Sequence, residues 1–73
     1  MTNNQLTEYI INLRSSINEI SLVDLLNIYD FLISERDRLR ETTHHNELLL
    51  EVYACIIDIK QTMSSMVLLL PVQ

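Results

Sequence analysis

The sequence predicts an all-α fold, a small bundle of three helices that is completed by dimerisation. Apolar residues recur at spacings of three and four along most of the chain, which is the period of an amphipathic helix. The 73 residues include no glycine and one proline, whereas hairpins and tight turns normally need both residue types. No convincing alternation of period two occurs. We therefore expect one helical domain over residues 1–73 and no β-sheet.

Helix 1 is predicted near residues 5–20, where the apolar residues form one stripe. The stripe consists of Leu6, Ile10, Leu13, Ile17 and Ile20. Residues 1–5 are polar, and we expect them to be frayed at the N-terminus. Asn3 or Asn4 could cap the helix that follows.

Helix 2 is predicted near residues 22–41, because Ser21 and Asp24 have the spacing of a capping box just before an apolar segment. Its broad apolar face consists of Leu22, Leu25, Leu26, Ile28, Tyr29, Leu32 and Ile33. After Ser34 the character changes, since Glu35–Glu41 has six charges in seven residues. This segment is predicted to be a solvated helix end that extends beyond the core.

Helix 3 is predicted near residues 47–70, after a turn at Thr42–Asn46, where the residue types form helices only weakly. Pro71 disfavours further helix, so residues 71–73 form a C-terminal tail. The alternative is one continuous helix from Leu22 to Leu70.

The longest stripe in the chain lies on helix 3 and is predicted to mediate self-association. It consists of Leu49, Val52, Ile56, Ile59, Met63, Met66 and Leu70. A second apolar patch on the same helix consists of Leu50, Tyr53, Ile57 and Leu68. A helix that is apolar on two sides needs two neighbours, and so short a chain cannot cover all these surfaces alone. We therefore expect a homo-oligomer, with a dimer favoured.

No group of residues suggests an enzyme, a cofactor site or a metal site. His44 and His45 are adjacent, whereas two histidines on one helix face need a spacing of four, and a structural zinc site normally needs four ligands. The absence of glycine excludes a glycine-rich phosphate loop. Cys55 lies between apolar neighbours and is predicted to be a small buried hydrophobic residue.

Phe31 and three arginines are the candidate residues for binding a protein partner. Phe31 lies among polar residues of helix 2, away from its main apolar stripe, and Arg36, Arg38 and Arg40 follow. Aromatic and arginine side chains are common anchors at protein interfaces. The alternative is that Phe31 packs within the fold or a dimer, with the arginines paired to their acidic neighbours.

The charge and the sequence pattern limit the possible partners and location. The net charge is −5, and the arginines alternate with acidic residues, so we expect no nucleic-acid binding. No stretch of eighteen uncharged apolar residues occurs, which predicts no membrane span. The N-terminus lacks the pattern of a secretory signal, and the single cysteine suits a reducing compartment. We therefore expect a cytoplasmic protein.

These observations favour a non-enzymatic protein–protein interaction module. In this hypothesis, the chain is a small acidic regulator, inhibitor or adaptor that acts as an oligomer on a larger protein. One alternative is a structural or assembly subunit that only self-associates or packs into a larger complex. Another is an amphipathic peptide at a membrane surface, although an acidic chain gains nothing electrostatically from anionic lipid.

Overall fold

The computed structural model describes residues 2–42 and 46–69, and all secondary structure in these two ranges is helical, with no strand. The elements in chain order are α1 (Asn3–Ser15), a 3₁₀ turn (Ile17–Glu19), α2 (Leu22–Thr42) and α3 (Asn46–Leu69). The prediction of an all-α, three-helix fold is confirmed. Dimerisation, the other part of that prediction, stays a prediction.

Helix α1 begins earlier than the sequence analysis predicted, because Thr2 caps it. The Thr2 hydroxyl accepts a hydrogen bond from the Gln5 amide at 3.1 Å, and the Gln5 side-chain oxygen accepts one from the Thr2 amide at 2.8 Å. This reciprocal pair is a capping box, which satisfies two otherwise unpaired backbone donors. The prediction of Asn3 or Asn4 as the cap was wrong, since both residues lie inside the helix.

Helix α1 also ends earlier than predicted, at Ser15 and not near residue 20. The Ser15 and Ser16 hydroxyls donate to the Asn12 carbonyl at 2.8 and 3.1 Å. Serine side chains that bond to nearby backbone groups compete with regular helix geometry. Ile17–Glu19 then forms the 3₁₀ turn, and the Asp24 amide donates to the Ser21 hydroxyl at 3.2 Å at the start of α2. This bond is the Ser21 half of the predicted capping box, and that half is confirmed.

Helices α2 and α3 pack side by side and run in opposite directions. The Lys60 ammonium of α3 lies 5.8 Å from the centre of the Tyr29 ring of α2. In one continuous helix these two residues would be about 46 Å apart, at 1.5 Å per residue. The alternative of a continuous helix through α2 and α3 was therefore wrong. The central residues of the predicted turn, 43–45, lie outside the described part of the chain.

Helix α1 lies along α3 and runs in the same direction. Asn3 lies beside Glu47 at one end, and the Arg14 guanidinium bonds to the Asp58 carboxylate further along, with 2.8 Å between Nε and Oδ2. The side chains of this ion pair are 46% and 37% exposed, so water screens the two charges and the pair contributes at most about 1 kcal/mol to stability. The contacts show that α1 covers one side of the α2–α3 pair.

The core lies between the three helices and is made of aliphatic side chains and one thiol. The buried residues are Leu6, Ile10, Leu13, Leu25, Leu32, Leu39, Leu48, Val52, Cys55, Ile56 and Ile59. Leu39 has no exposed surface, although it lies inside the charged segment Glu35–Glu41. The prediction that this segment extends beyond the core was wrong, because Leu39 continues the buried row of Leu25 and Leu32 at spacings of seven.

Candidate functional site

Phe31, the aromatic residue predicted to contact a partner, packs against α1. Its ring meets the ring of Tyr9 edge to face, with 5.4 Å between the ring centres and 71° between the ring planes. Both residues are partly buried at the edge of the core. This contact gives Phe31 a structural role in joining α1 to α2. A role of Phe31 in binding a partner stays a prediction.

Replacing Phe31 with Ala should lower the free energy of unfolding by about 2 kcal/mol. The change removes a partly buried ring and an aromatic pair worth about 0.5–1.5 kcal/mol beyond its burial. Urea denaturation followed by circular dichroism measures the loss. A double-mutant cycle with Tyr9→Leu isolates the pair, and strictly additive effects of the two substitutions would show that the rings do not interact.

Arg36 and Arg38 are paired with acidic residues close in sequence on α2. Arg36 donates from Nε and Nη2 to one carboxylate oxygen of Asp37, at 3.1 and 3.0 Å. Arg38 donates from Nε to the Glu35 carboxylate at 2.7 Å. Arg40 is exposed and lies near Asp37. The positive charge of Arg36 and Arg38 is therefore partly neutralised on α2 itself.

Phe31 and the arginines do not form a single patch. Residues two apart on a helix point about 200° apart, so Arg38 lies on a different side of α2 from Arg36 and Arg40. Phe31 and Arg38 are seven residues apart and share one side, which is the side of the contact with α1. Arg36 and Arg40 share another. The predicted contact residues therefore belong to two surfaces.

The stripe on α3 that was predicted to mediate self-association largely faces the core of one protomer. Val52 and Ile59 have no exposed surface, and Ile56 is 5% exposed. Leu49, Met63 and Met66 are partly buried against the same core, and Leu70 lies outside the described residues. Sharing of this stripe between two copies stays a prediction. The row that α3 buries most completely is Leu48, Val52, Cys55 and Ile59.

A long apolar groove runs along the surface between α2 and α3. It has a volume of about 760 Å³ and is lined by Leu22, Leu26, Tyr29, Lys60, Met63, Ser64, Val67 and Leu68. Asp58 bonds to Arg14 of α1, whereas Lys60 lines the groove. The two residues are two positions apart on α3 and therefore point to nearly opposite sides of the helix. The groove and α1 therefore lie on different sides of the α2–α3 pair.

The apolar surface continues along α3 beyond the groove. Ile57 and Tyr53 continue the side of α3 that lines the groove, at helical spacing toward the start of the helix. Leu50 lies one further turn toward that end. We call the groove together with Leu50, Tyr53 and Ile57 the outer face. Large parts of its apolar side chains are exposed: Leu26 50%, Ile57 53%, Val67 55%, Leu50 66% and Leu68 84%. The second apolar patch of helix 3 is therefore left largely uncovered.

Lys60 is the charged residue in the lining of the groove. Its ammonium lies over the ring of Tyr29, where the negative face of the ring attracts a cation. Lys60 was not among the residues predicted for the site. Lys60 shares one face of α3 with Tyr53, Ile57 and Val67, and this spacing could have indicated that it belongs to the apolar surface.

No family model, no curated protein and no solved structure matches this chain. The geometry of the outer face and of α2 is therefore the basis for a proposed function.

Cys55 is fully buried, as the sequence analysis predicted. Burial raises the pKa of its thiol from 9.0 to about 11, with Arg14 acting in the opposite direction and Asp58 in the same one. Burial also raises the pKa of the Tyr9 hydroxyl, with a smaller effect from Cys55. A thiol with this pKa is protonated near neutral pH, and the thiolate is the nucleophilic form. Cys55 is thus a packing residue in this fold.

The described residues provide neither a metal cluster nor a membrane span. Within 2–42 and 46–69, no three His, Cys, Asp or Glu side chains are grouped so that they could hold a metal ion. His44 and His45 lie outside these ranges. Among the helices described here, none combines the length and apolar character needed to cross a bilayer.

Proposed function

We propose that this chain is a non-enzymatic helical protein–protein interaction module, a small regulator, inhibitor or adaptor that acts as an oligomer on a larger protein partner. The observation that supports this proposal is the outer face, an apolar surface that the described helices do not cover. Monomeric proteins rarely expose a contiguous apolar patch above a few hundred Å², and larger patches mark interaction sites.

The arginine end of α2 is suited to binding the larger partner. Arg40 is exposed one turn after Arg36. Helical spacing places both arginines on the apolar side of α2 that carries Tyr29. A cation beside an apolar surface is a common arrangement at the polar rim of an interface. In this proposal, the arginine end of α2 meets an acidic region of the partner.

The substitution Arg40→Glu should weaken capture of the larger partner roughly thirtyfold, the effect of removing an interface anchor worth about 2 kcal/mol. Arg40→Lys keeps the charge and is the matched control, for which we expect a change below about threefold. The melting temperature should stay unchanged in both variants because Arg40 is exposed. Tagged protein is used to capture partners from the native host, and affinities are then measured with the purified partner.

The capture experiment also distinguishes a regulator of a larger protein from a subunit with a purely structural role. If the tagged wild-type chain retains only its own copies, the chain is a self-associating structural subunit and the proposed function is wrong. If Arg40→Glu binds the partner as tightly as Arg40→Lys does, the assignment of the contact to the arginine end of α2 is wrong.

A further inference from the structure

We propose that the outer face binds one amphipathic helix of the partner, whose apolar side fills the groove and whose acidic residues meet the cations beside it. This inference rests on the proposed function, since it specifies which kind of segment of the larger protein the module recognises. Helices that lay an apolar side into a hydrophobic groove are a common mode of recognition, with contacts at intervals of three and four residues.

The outer face has the length and shape of a site for one helix. The groove runs between two antiparallel helices, with Leu26 on one side and Val67 on the other. Ile57 and Leu50 continue it along α3 and are 53% and 66% exposed. From Leu50 to Leu68 the face is about 27 Å long, which is the length of about 18 helical residues at 1.5 Å per residue. A single helix laid along the face therefore covers side chains at both of its ends.

The cations of the chain are concentrated on the side of the outer face. Lys60 lines the groove, and Arg36 and Arg40 continue the side of α2 that carries Tyr29. The chain's five cations and ten acidic residues all lie within the described ranges 2–42 and 46–69. Among these acidic residues, Asp37 lies closest to the same side of α2, where it bonds to Arg36. Three of the five cations thus lie on a side with one acidic residue at its edge, although the net charge of the chain is −5.

Cations beside an apolar groove favour an acidic helix over a neutral or basic one. Complementary charges across an interface select the partner and fix its register. The acidic residues on the other sides of the helices are largely screened, because the Debye length is about 8 Å at physiological ionic strength and a helix with its side chains is about 10 Å across. The local positive charge therefore acts on the bound helix more strongly than the net charge of the chain does.

The positions of the cations predict the spacing of the acidic residues on the partner helix. Lys60 lies level with Tyr29, because its ammonium lies over the Tyr29 ring. Arg40 follows Tyr29 by about eleven residues, which is about 16 Å along α2. Residues about eleven positions apart also share one side of a helix. We therefore expect two acidic residues at about this spacing on the partner helix, with apolar residues between them.

The test is a selection from a displayed library of random peptides, each about 18 residues long, on the full wild-type chain. We expect enrichment of peptides with apolar residues at intervals of three and four and with acidic residues about eleven positions apart. A synthetic copy of a selected peptide should bind with a micromolar dissociation constant, and added salt should weaken the binding. Enrichment of neutral or basic peptides, or no enrichment, would overturn the proposal.

Two pairs of variants locate the binding site of the selected peptide. Ile57→Glu is compared with Ile11→Glu, because the two isoleucines are 53% and 59% exposed and Ile11 lies on α1. We expect Ile57→Glu to weaken peptide binding at least about thirtyfold and Ile11→Glu less than about threefold. Lys60→Glu should weaken it roughly tenfold. Arg14→Glu makes the same change in net charge on the side of α1, and its effect should be below about threefold. Equal effects within either pair would contradict the assigned site.

Circular dichroism shows whether each variant keeps its helices, and Leu68→Glu replaces Ile57→Glu if the latter does not fold. Two other occupants of the outer face are tested with the same variant. A wild-type dimer that Ile57→Glu dissociates in sedimentation equilibrium would identify the occupant as a second copy and overturn the proposal. Binding to phosphatidylserine vesicles that Ile57→Glu abolishes would identify it as a membrane surface, with the same consequence.

The peptide selection and the capture experiment can fail independently. Selection of acidic helices by a chain that captures no larger protein contradicts the proposed function but supports the helix site on the outer face. Capture of a larger protein with equal affinity by wild type and by Ile57→Glu contradicts the helix site alone.

Discussion

Replacing Ile59 with Asp should unfold the protein at room temperature. Ile59 has no exposed surface and belongs to the buried core of the protomer. An uncompensated buried carboxylate, added to the loss of the isoleucine side chain, costs upwards of about 4 kcal/mol. A small domain has only about 5–15 kcal/mol of stability, and a 73-residue chain is expected near the lower limit. Loss of helical circular dichroism at 25 °C is the expected observation.

The matched control is Ile11→Asp, which makes the same chemical change at a residue that is 59% exposed. Its carboxylate stays hydrated, so the midpoint of urea unfolding should shift by less than the equivalent of about 1 kcal/mol. A folded Ile59→Asp variant with the same unfolding midpoint as Ile11→Asp would show that Ile59 is not in the protomer core.

Replacing Leu39 with Ala should lower the free energy of unfolding by about 2–5 kcal/mol. Leu39 lies among charged residues in sequence but is fully buried in the fold. Truncation of a buried leucine removes its transfer free energy and leaves a cavity that the surrounding side chains fill only partly. Urea denaturation gives the value, and an unchanged slope with denaturant shows that the unfolded state is not altered.

Val23→Ala is the control on the same helix, since Val23 is 67% exposed and lies off the outer face. Its effect should be within about 0.5 kcal/mol. If Leu39→Ala is as mild as Val23→Ala, the core ends near Ser34, as the charge pattern of α2 had predicted.

Periodicity was sufficient to predict the three helices, because the spacing of apolar residues reflects which side of each helix is buried. The end of α1 was missed for a local reason. The hydroxyls of Ser15 and Ser16 both bond to the Asn12 carbonyl, and this competition interrupts a stripe that otherwise continues to Ile20. The start of α1 lies earlier than predicted because Thr2 and Gln5 form a capping box ahead of the first apolar residue, Leu6.

The position of Leu39 shows a limit of charge patterns. A leucine can be buried between charged residues because a helix turns about 100° per residue, so its neighbours in sequence point to other sides of the helix. The ion pair between Arg14 and Asp58 shows another limit, since its two residues are far apart in sequence and meet only after α1 packs on α3. Neither feature follows from local sequence alone.

The candidate surface was predicted only in part. The sequence showed that α3 is apolar on two sides, but periodicity does not tell which side packs on the chain's own helices. In the fold, Ile59 faces the core and Ile57 is exposed, although both belong to apolar rows of α3. Phe31 and Arg36 were grouped because they are close in sequence, and the helix places them on different sides.

The most direct test of the outer face is a nuclear Overhauser experiment that detects contacts only between the labelled wild-type chain and an unlabelled selected peptide. We predict intermolecular contacts from the methyl groups of Leu26, Ile57 and Val67, which lie on the outer face. The methyl groups of Val52 and Ile59 should show contacts only within one copy, because they are buried inside the protomer. Intermolecular contacts from Val52 and Ile59, with none from Ile57, would contradict both helix binding at the outer face and the assignment of the protomer core.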